Sequence, residues 1–124
     1  MPLLLVSLFG LLGVLCRYGT DVWVSQRYAG DFPASTLIIN AAGCAIAGMI
    51  FALGSAGKLP SLALTTGLIV GFCGGFTTFS AYALQTVLLA EKAGWTSALS
   101  YFLISPLVGL AAAFLSVAAT RSLL

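Results

Sequence analysis

The sequence predicts an all-α integral membrane protein of four transmembrane helices with the third helix broken, and three observations predict it. Of the 124 residues, 60% are hydrophobic and 6% are charged, and the mean hydropathy is +1.12. A soluble domain carries about 25% charged residues, so most of this surface must face lipid. Apolar runs long enough to cross a bilayer, about 20 residues each, recur four times between short polar stretches. The third run is interrupted at its centre by glycines and hydroxyl residues. Helices are the only option, because backbone polar groups must be satisfied within lipid and four segments cannot close a barrel.

The first span runs from about Leu3 to Val24 and is ended by Arg27–Tyr28–Ala29–Gly30–Asp31–Phe32–Pro33. It has neither the basic start nor the small-residue cleavage site of a signal peptide, so a retained span is expected. The second runs from about Ser35 to Leu53, ended by the segment from Gly54 through Lys58 to Pro60. The third runs from about Ser61 to Ala90 and stops at Glu91–Lys92–Ala93–Gly94. The fourth runs from about Trp95 to Thr120, with Arg121 just beyond. Short loops make neighbouring helices antiparallel, and a single domain is expected over residues 1–124. Lys58 and Arg121 flank one membrane face, and Arg27 and Lys92 the other. The positive-inside rule therefore has nothing to act on. Such a chain can insert both ways and pair as an antiparallel homodimer.

Several function classes are excluded. There is no histidine and only three carboxylates, so no Ser–His or Cys–His pair can be built, and an enzyme is not expected. His/Cys/carboxylate metal sites fail for the same reason. Cys16, Cys44 and Cys73 sit singly in apolar runs and read as small buried hydrophobes. A net charge of +2 is too small for a nucleic-acid partner.

The chemistry concentrates in the third span, Leu64 to Tyr82. Gly74–Gly75 is followed by Thr77, Thr78 and Ser80. Glycine costs a helix roughly 1 kcal/mol relative to alanine, and threonine can bond backbone in place of the ladder. Together at mid-membrane they predict a helix break, tolerated only where it is buried in protein or lines a wet cavity. A break frees carbonyls and amides for ions. Gly67, Gly71 and Gly75 form two overlapping GxxxG patterns, and Ala41, Ala45 and Gly48 a looser row; both suit close helix packing, within one chain or between two.

Asn40 places an amide inside the second span, where a partner is required. Tyr101 and Ser105 are four apart and share a face of the fourth. Arg17 either pairs with Asp21 one turn later or faces a vestibule. Asn40, Thr78, Ser80, Tyr101 and Ser105 can all donate hydrogen bonds, and Phe76 and Phe79 add ring edges of partial positive charge. No carboxylate lies deep in a span. This set suits a small, hard anion, bound by neutral donors that also let it leave.

The string Gly74–Gly75–Phe76–Thr77–Thr78–Phe79–Ser80, with Asn40 in the second span and Arg17 in the first, resembles the Fluc (CrcB) fluoride channels over the whole chain. The resemblance implies an antiparallel, dual-topology homodimer in the inner (plasma) membrane, with two pores that passively export fluoride and protect the cell from it. It implies a structural sodium ion at the dimer interface, held by the backbone carbonyls of Gly74 and Thr77 from each subunit. By the same resemblance Phe79 would be the first aromatic whose edge meets fluoride, Tyr82 would take the place of the second, and Asn40 would bind the ion directly. Ser80, Tyr101 and Ser105 fall at polar lining positions, and Arg17 at the first-span arginine. Three positions depart from the pattern: Tyr82 stands for the usual phenylalanine, Gln85 for a frequent carboxylate, and Gly109 for a serine.

A rival reading is a small multidrug-type proton-coupled transporter, also of four helices. That chemistry needs a titrating carboxylate within the membrane, and the first span offers only Asp21, near its end. A packing subunit without transport is a second rival, for which the costly break would have no use. Donor chemistry specifies a small anion; fluoride comes from the resemblance.

Overall fold

The computed structural model describes residues 1–124 and contains four helices apolar and long enough to cross a membrane. Helix α1 (Pro2–Ser25) opens on a proline, whose missing N–H would have had no helical partner there. Past its end, Arg27 folds back to donate to the Trp23 carbonyl (3.0 Å), its guanidinium 4.4 Å from the indole centroid. Both groups are at home at the membrane–water boundary. Pro33 precedes α2 (Ala34–Ser55).

The third span is built in pieces. Ser61 caps α3 (Leu62–Thr66), its hydroxyl accepting from the Leu64 N–H at 3.1 Å. A π-helical stretch, Gly67–Cys73, follows, then the single turn α4 (Gly74–Phe76). Thr77 and Thr78 are extended, and α5 (Phe79–Ala93) resumes the crossing. The break is where the sequence places it. The polar stop is not: Glu91 and Lys92 stay helical, since they reach water without leaving the helix, and Gly94 alone (φ 85°) forms the corner. Helix α6 (Trp95–Ser122) begins at the next residue and passes through Pro106.

The two halves of the third span pack on different partners. The π-helical stretch and α4 lie along α1, whereas α5 lies against α6, which also packs along α2. The glycine row sets the first contact. A Cβ placed on Gly75 would stand 2.5 Å from the Gly10 carbonyl oxygen, and one on Gly71 2.6 Å from that of Val6. A Cβ on Gly13 would overlap the Phe72 carbonyl. The Gly67–Gly71–Gly75 stripe is thus consumed within one chain. Against α6, a Cβ on Gly48 would stand 2.7 Å from the Ala113 carbonyl, and Ser116 donates to the Ala45 carbonyl at 2.6 Å. Without a hydrophobic drive in lipid, such backbone approach and interhelical hydrogen bonding carry association. Only 18 of 124 residues are buried, so the outward leucines and phenylalanines of α1 and α6 are left for acyl chains.

Gly75→Ala should therefore force α1 from the third span and cost about 1–3 kcal/mol. Gly19→Ala, whose Cβ meets nothing within 4 Å, should cost nothing measurable. Thermal unfolding of the two variants in detergent checks this, and equal melting temperatures would refute the close-packing account.

Candidate functional site

The break is stabilised at three points. On its N-terminal side both the N–H and the hydroxyl of Thr77 donate to the Cys73 carbonyl, at 2.9 and 2.8 Å. On its C-terminal side Thr78 caps α5, its hydroxyl accepting from the Ala81 N–H at 3.2 Å. Between them the Asn40 carboxamide grips Thr78 with both ends: Nδ2 donates to the Thr78 carbonyl at 3.0 Å, and Oδ1 accepts from the Thr78 N–H at 2.8 Å. This cyclic pair imitates the pairing of a sheet edge and is the partner that an amide at this depth requires.

The clamp has an electrostatic by-product. In an unbroken helix the Thr78 N–H would serve the Gly74 carbonyl, and the Ala81 N–H that of Thr77. Both donors are diverted, to Asn40 and to the Thr78 hydroxyl. The carbonyls of Gly74 and Thr77 thus lose their ladder partners. A Cβ on Gly74 would meet nothing within 4 Å, so the backbone there faces open space.

A cavity of about 340 Å3 opens beside the break, bordered by α2, α5 and α6, and Asn40, Thr78, Phe79, Tyr82 and Ser105 line it. The Phe79 ring is exposed and lies 5.7 Å from that of Tyr82 between centroids. The Tyr82 hydroxyl is not free for an ion: it donates to the Phe102 carbonyl at 2.7 Å. Tyr101 is wholly buried behind Tyr82, with ring centroids 5.4 Å apart, and its hydroxyl donates to Gln85 Oε1 at 3.2 Å. Ser105 is buried on the cavity wall. Ser80 is exposed, its hydroxyl 3.4 Å from that of Thr78.

Neither Tyr101 nor Ser80 lines this cavity, and two further residues fall elsewhere. Phe76 is not brought to the cavity; it is buried and stacked on Phe72, with centroids 5.7 Å apart. Arg17 lines a separate cavity of about 280 Å3 with Asp21, Thr36 and Gln85. Thr78 borders both cavities. Asp21 accepts a hydrogen bond from Ser35 and borders the same cavity as Arg17. Sequence reasoning missed Pro106, which also lines the larger cavity. The signal was a proline inside an apolar run, directly after Ser105.

The model of the family described as CrcB-like protein, Camphor Resistance (CrcB), matches residues 4–117, a range that includes every residue named at both cavities. This chain belongs to the CrcB family. It is 40% identical to the fluoride-specific ion channel FluC of Pseudomonas putida over 116 residues, covering 94% of each chain. It is 40% identical to FluC of Pseudomonas syringae over 119 residues, 96% of each. The fluoride-specific ion channel FluC 2 of Listeria monocytogenes is 39% identical over 110 residues, 89% of this chain and 83% of that one.

Within this CrcB chain the three departures from the pattern have local accounts. Tyr82 uses its hydroxyl on Phe102, and Gln85 accepts from Tyr101. Gly109 makes room for Cys44, whose sulfur would stand 3.3 Å from an added Cβ.

Asn40→Ala should uncouple α2 from the break and destabilise the protein by about 1–4 kcal/mol. It should also speed hydrogen exchange at the Thr78 amide. Exchange at wild-type rate in the variant would show that the carboxamide does not hold the break.

Proposed function

We propose that this chain is a fluoride channel of the plasma membrane, passing the ion passively and thereby protecting the cell from fluoride. The observation that carries the reading is the broken third span. It brings Thr78, the Phe79 ring and the start of α5 to one cavity with Asn40 and Ser105, and no carboxylate lines that cavity. Hydroxyl and amide hydrogens, ring edges and a helix N-terminus all favour an anion. Asn40 retains one N–H after bonding Thr78, since a carboxamide has two. Neutral donors replace a hydration shell without holding the ion by full charge. Fluoride itself is taken from the names of the relatives.

The working unit in this proposal is an antiparallel homodimer with two pores. Gly74, Phe79 and Ser80 are exposed half-way along the 32-residue third span, where lipid offers no partner to a freed carbonyl or a hydroxyl. A second copy covering that face satisfies them, and the balance of flanking charge permits the opposite insertion. The carbonyls of Gly74 and Thr77 fit a sodium ion by chemistry: they are hard oxygen donors stripped of ladder partners, two from each copy. A cation there would neutralise their negative ends near the anion path. Arg17 would draw anions toward the smaller cavity.

The test is ion efflux from liposomes holding the purified protein, read by fluoride and chloride electrodes in parallel. Fluoride release without chloride release is expected. Asn40→Asp should abolish it, because a carboxylate repels the anion and cannot donate to the Thr78 carbonyl. Phe79→Ile should lower throughput while the dimer persists. Release of neither ion by the wild type would overturn the channel reading, and a monomer on crosslinking would overturn the dimer.

A further inference from the structure

Pro106 lies inside α6 and has no N–H. The carbonyl four residues earlier, that of Phe102, is therefore denied its ladder donor. The structure supplies a substitute from another helix: the Tyr82 hydroxyl of α5, 2.7 Å from the Phe102 oxygen. Tyr82 and Pro106 line the same cavity. The Tyr82 ring also packs on Phe102, nearly parallel at 14° with centroids 6.3 Å apart, and meets Phe79 and Tyr101 at 5.7 and 5.4 Å.

We propose that Tyr82 and Pro106 form one coupled unit, in which the tyrosine hydroxyl replaces the missing proline N–H and so positions the cavity's second aromatic ring. Tyr82 is then a positioning residue whose hydroxyl serves α6 and not the permeating ion. Two consequences follow from the chemistry. The ring is pinned at its far end, so its edge and its distance from Phe79 are fixed. A bare carbonyl oxygen, which would repel an anion, is also kept capped close to the cavity. Phenylalanine at 82 would fill the same volume but leave the Phe102 oxygen without this donor. The unit thus accounts for a tyrosine and a proline that neither packing nor anion binding explains singly.

The inference rests on the channel reading above, and the experiment separates the two. Fluoride efflux and thermal unfolding are measured for wild type, Tyr82→Phe, Pro106→Ala and the double variant in liposomes and detergent. Wild-type efflux tests the channel; the cycle tests the coupling. Tyr82→Phe alone should lower efflux about tenfold and depress the melting temperature. In the Pro106→Ala background, where the new N–H serves Phe102, the same change should alter efflux less than about twofold. An equal loss in both backgrounds, or no loss in the wild-type background, overturns the coupling even if fluoride flows. Pro106→Ser supplies the same N–H and gives a second cycle if the alanine variant does not assemble. If neither does, the melting temperature of Tyr82→Phe decides, and an unchanged value overturns the proposal.

Discussion

The two hydrogen bonds between the Asn40 carboxamide and the Thr78 backbone are the constraint on which the rest of the site depends. A chain in hydrocarbon cannot leave an N–H and a C=O unpaired, because water is not there to take them. A break at the centre of a span is therefore possible only with a partner of matching polarity. Asparagine provides one acceptor and two donors on a short, stiff stem. Once Thr78 is held, its hydroxyl is oriented to cap α5, and the carbonyls of Gly74 and Thr77 lose the donors a continuous helix would have given them. One side chain on α2 thus helps set the start of α5 and leaves two carbonyls without their ladder donors.

The break also needs its two ends to be held apart, and the packing does this with two different partners. Glycines let the π-helical stretch sit with its backbone against that of α1, while α5 turns to α6. A straight third helix would satisfy one neighbour and leave the other. The π-helical turns just before the break belong to the same compromise, since wide turns occur where a ladder is locally interrupted, often near functional positions. The Thr77 methyl completes the seating: a Cβ on Gly43 would overlap it, so α2 approaches the break closely only because residue 43 has no side chain.

Much of this was legible in the sequence, because lipid makes the rules strict. Composition and run length indicated four apolar helices, and the Gly74–Ser80 string marked a break in the third, which the structure puts between Phe76 and Phe79. Asn40 was legible as a residue needing a partner, but which partner was not, since nothing in the chain's order says that residues 40 and 78 meet. The fate of the Tyr82 hydroxyl was hidden for the same reason: it depends on the register of α5 against α6. The placement of Phe76 was not legible, because neighbours in a motif can point in opposite directions; its ring stacks on Phe72, four residues earlier in the same span. The helix α5 runs on past the span end read from Glu91 and Lys92, because charged residues signal the membrane boundary, not the helix boundary.

The placement of charge fits the chemistry of rapid anion passage. A full positive charge beside a small anion in a low-dielectric cavity would bind it too tightly to release, since Coulomb energy rises steeply as the dielectric falls. The only deep cation, Arg17, lines the smaller cavity, while the larger one holds hydroxyls, a carboxamide and aromatic rings. Thr78 borders both. In the proposed channel, attraction and passage would fall at different places, with the clamped residue between them. That division explains why the break must be rigid. Partial charges stabilise an ion only when they are already oriented, because a dipole that must reorganise gives back what it gains. Asn40 holds the backbone dipoles of Thr78 in place, and the Tyr82 hydroxyl bonds the Phe102 carbonyl.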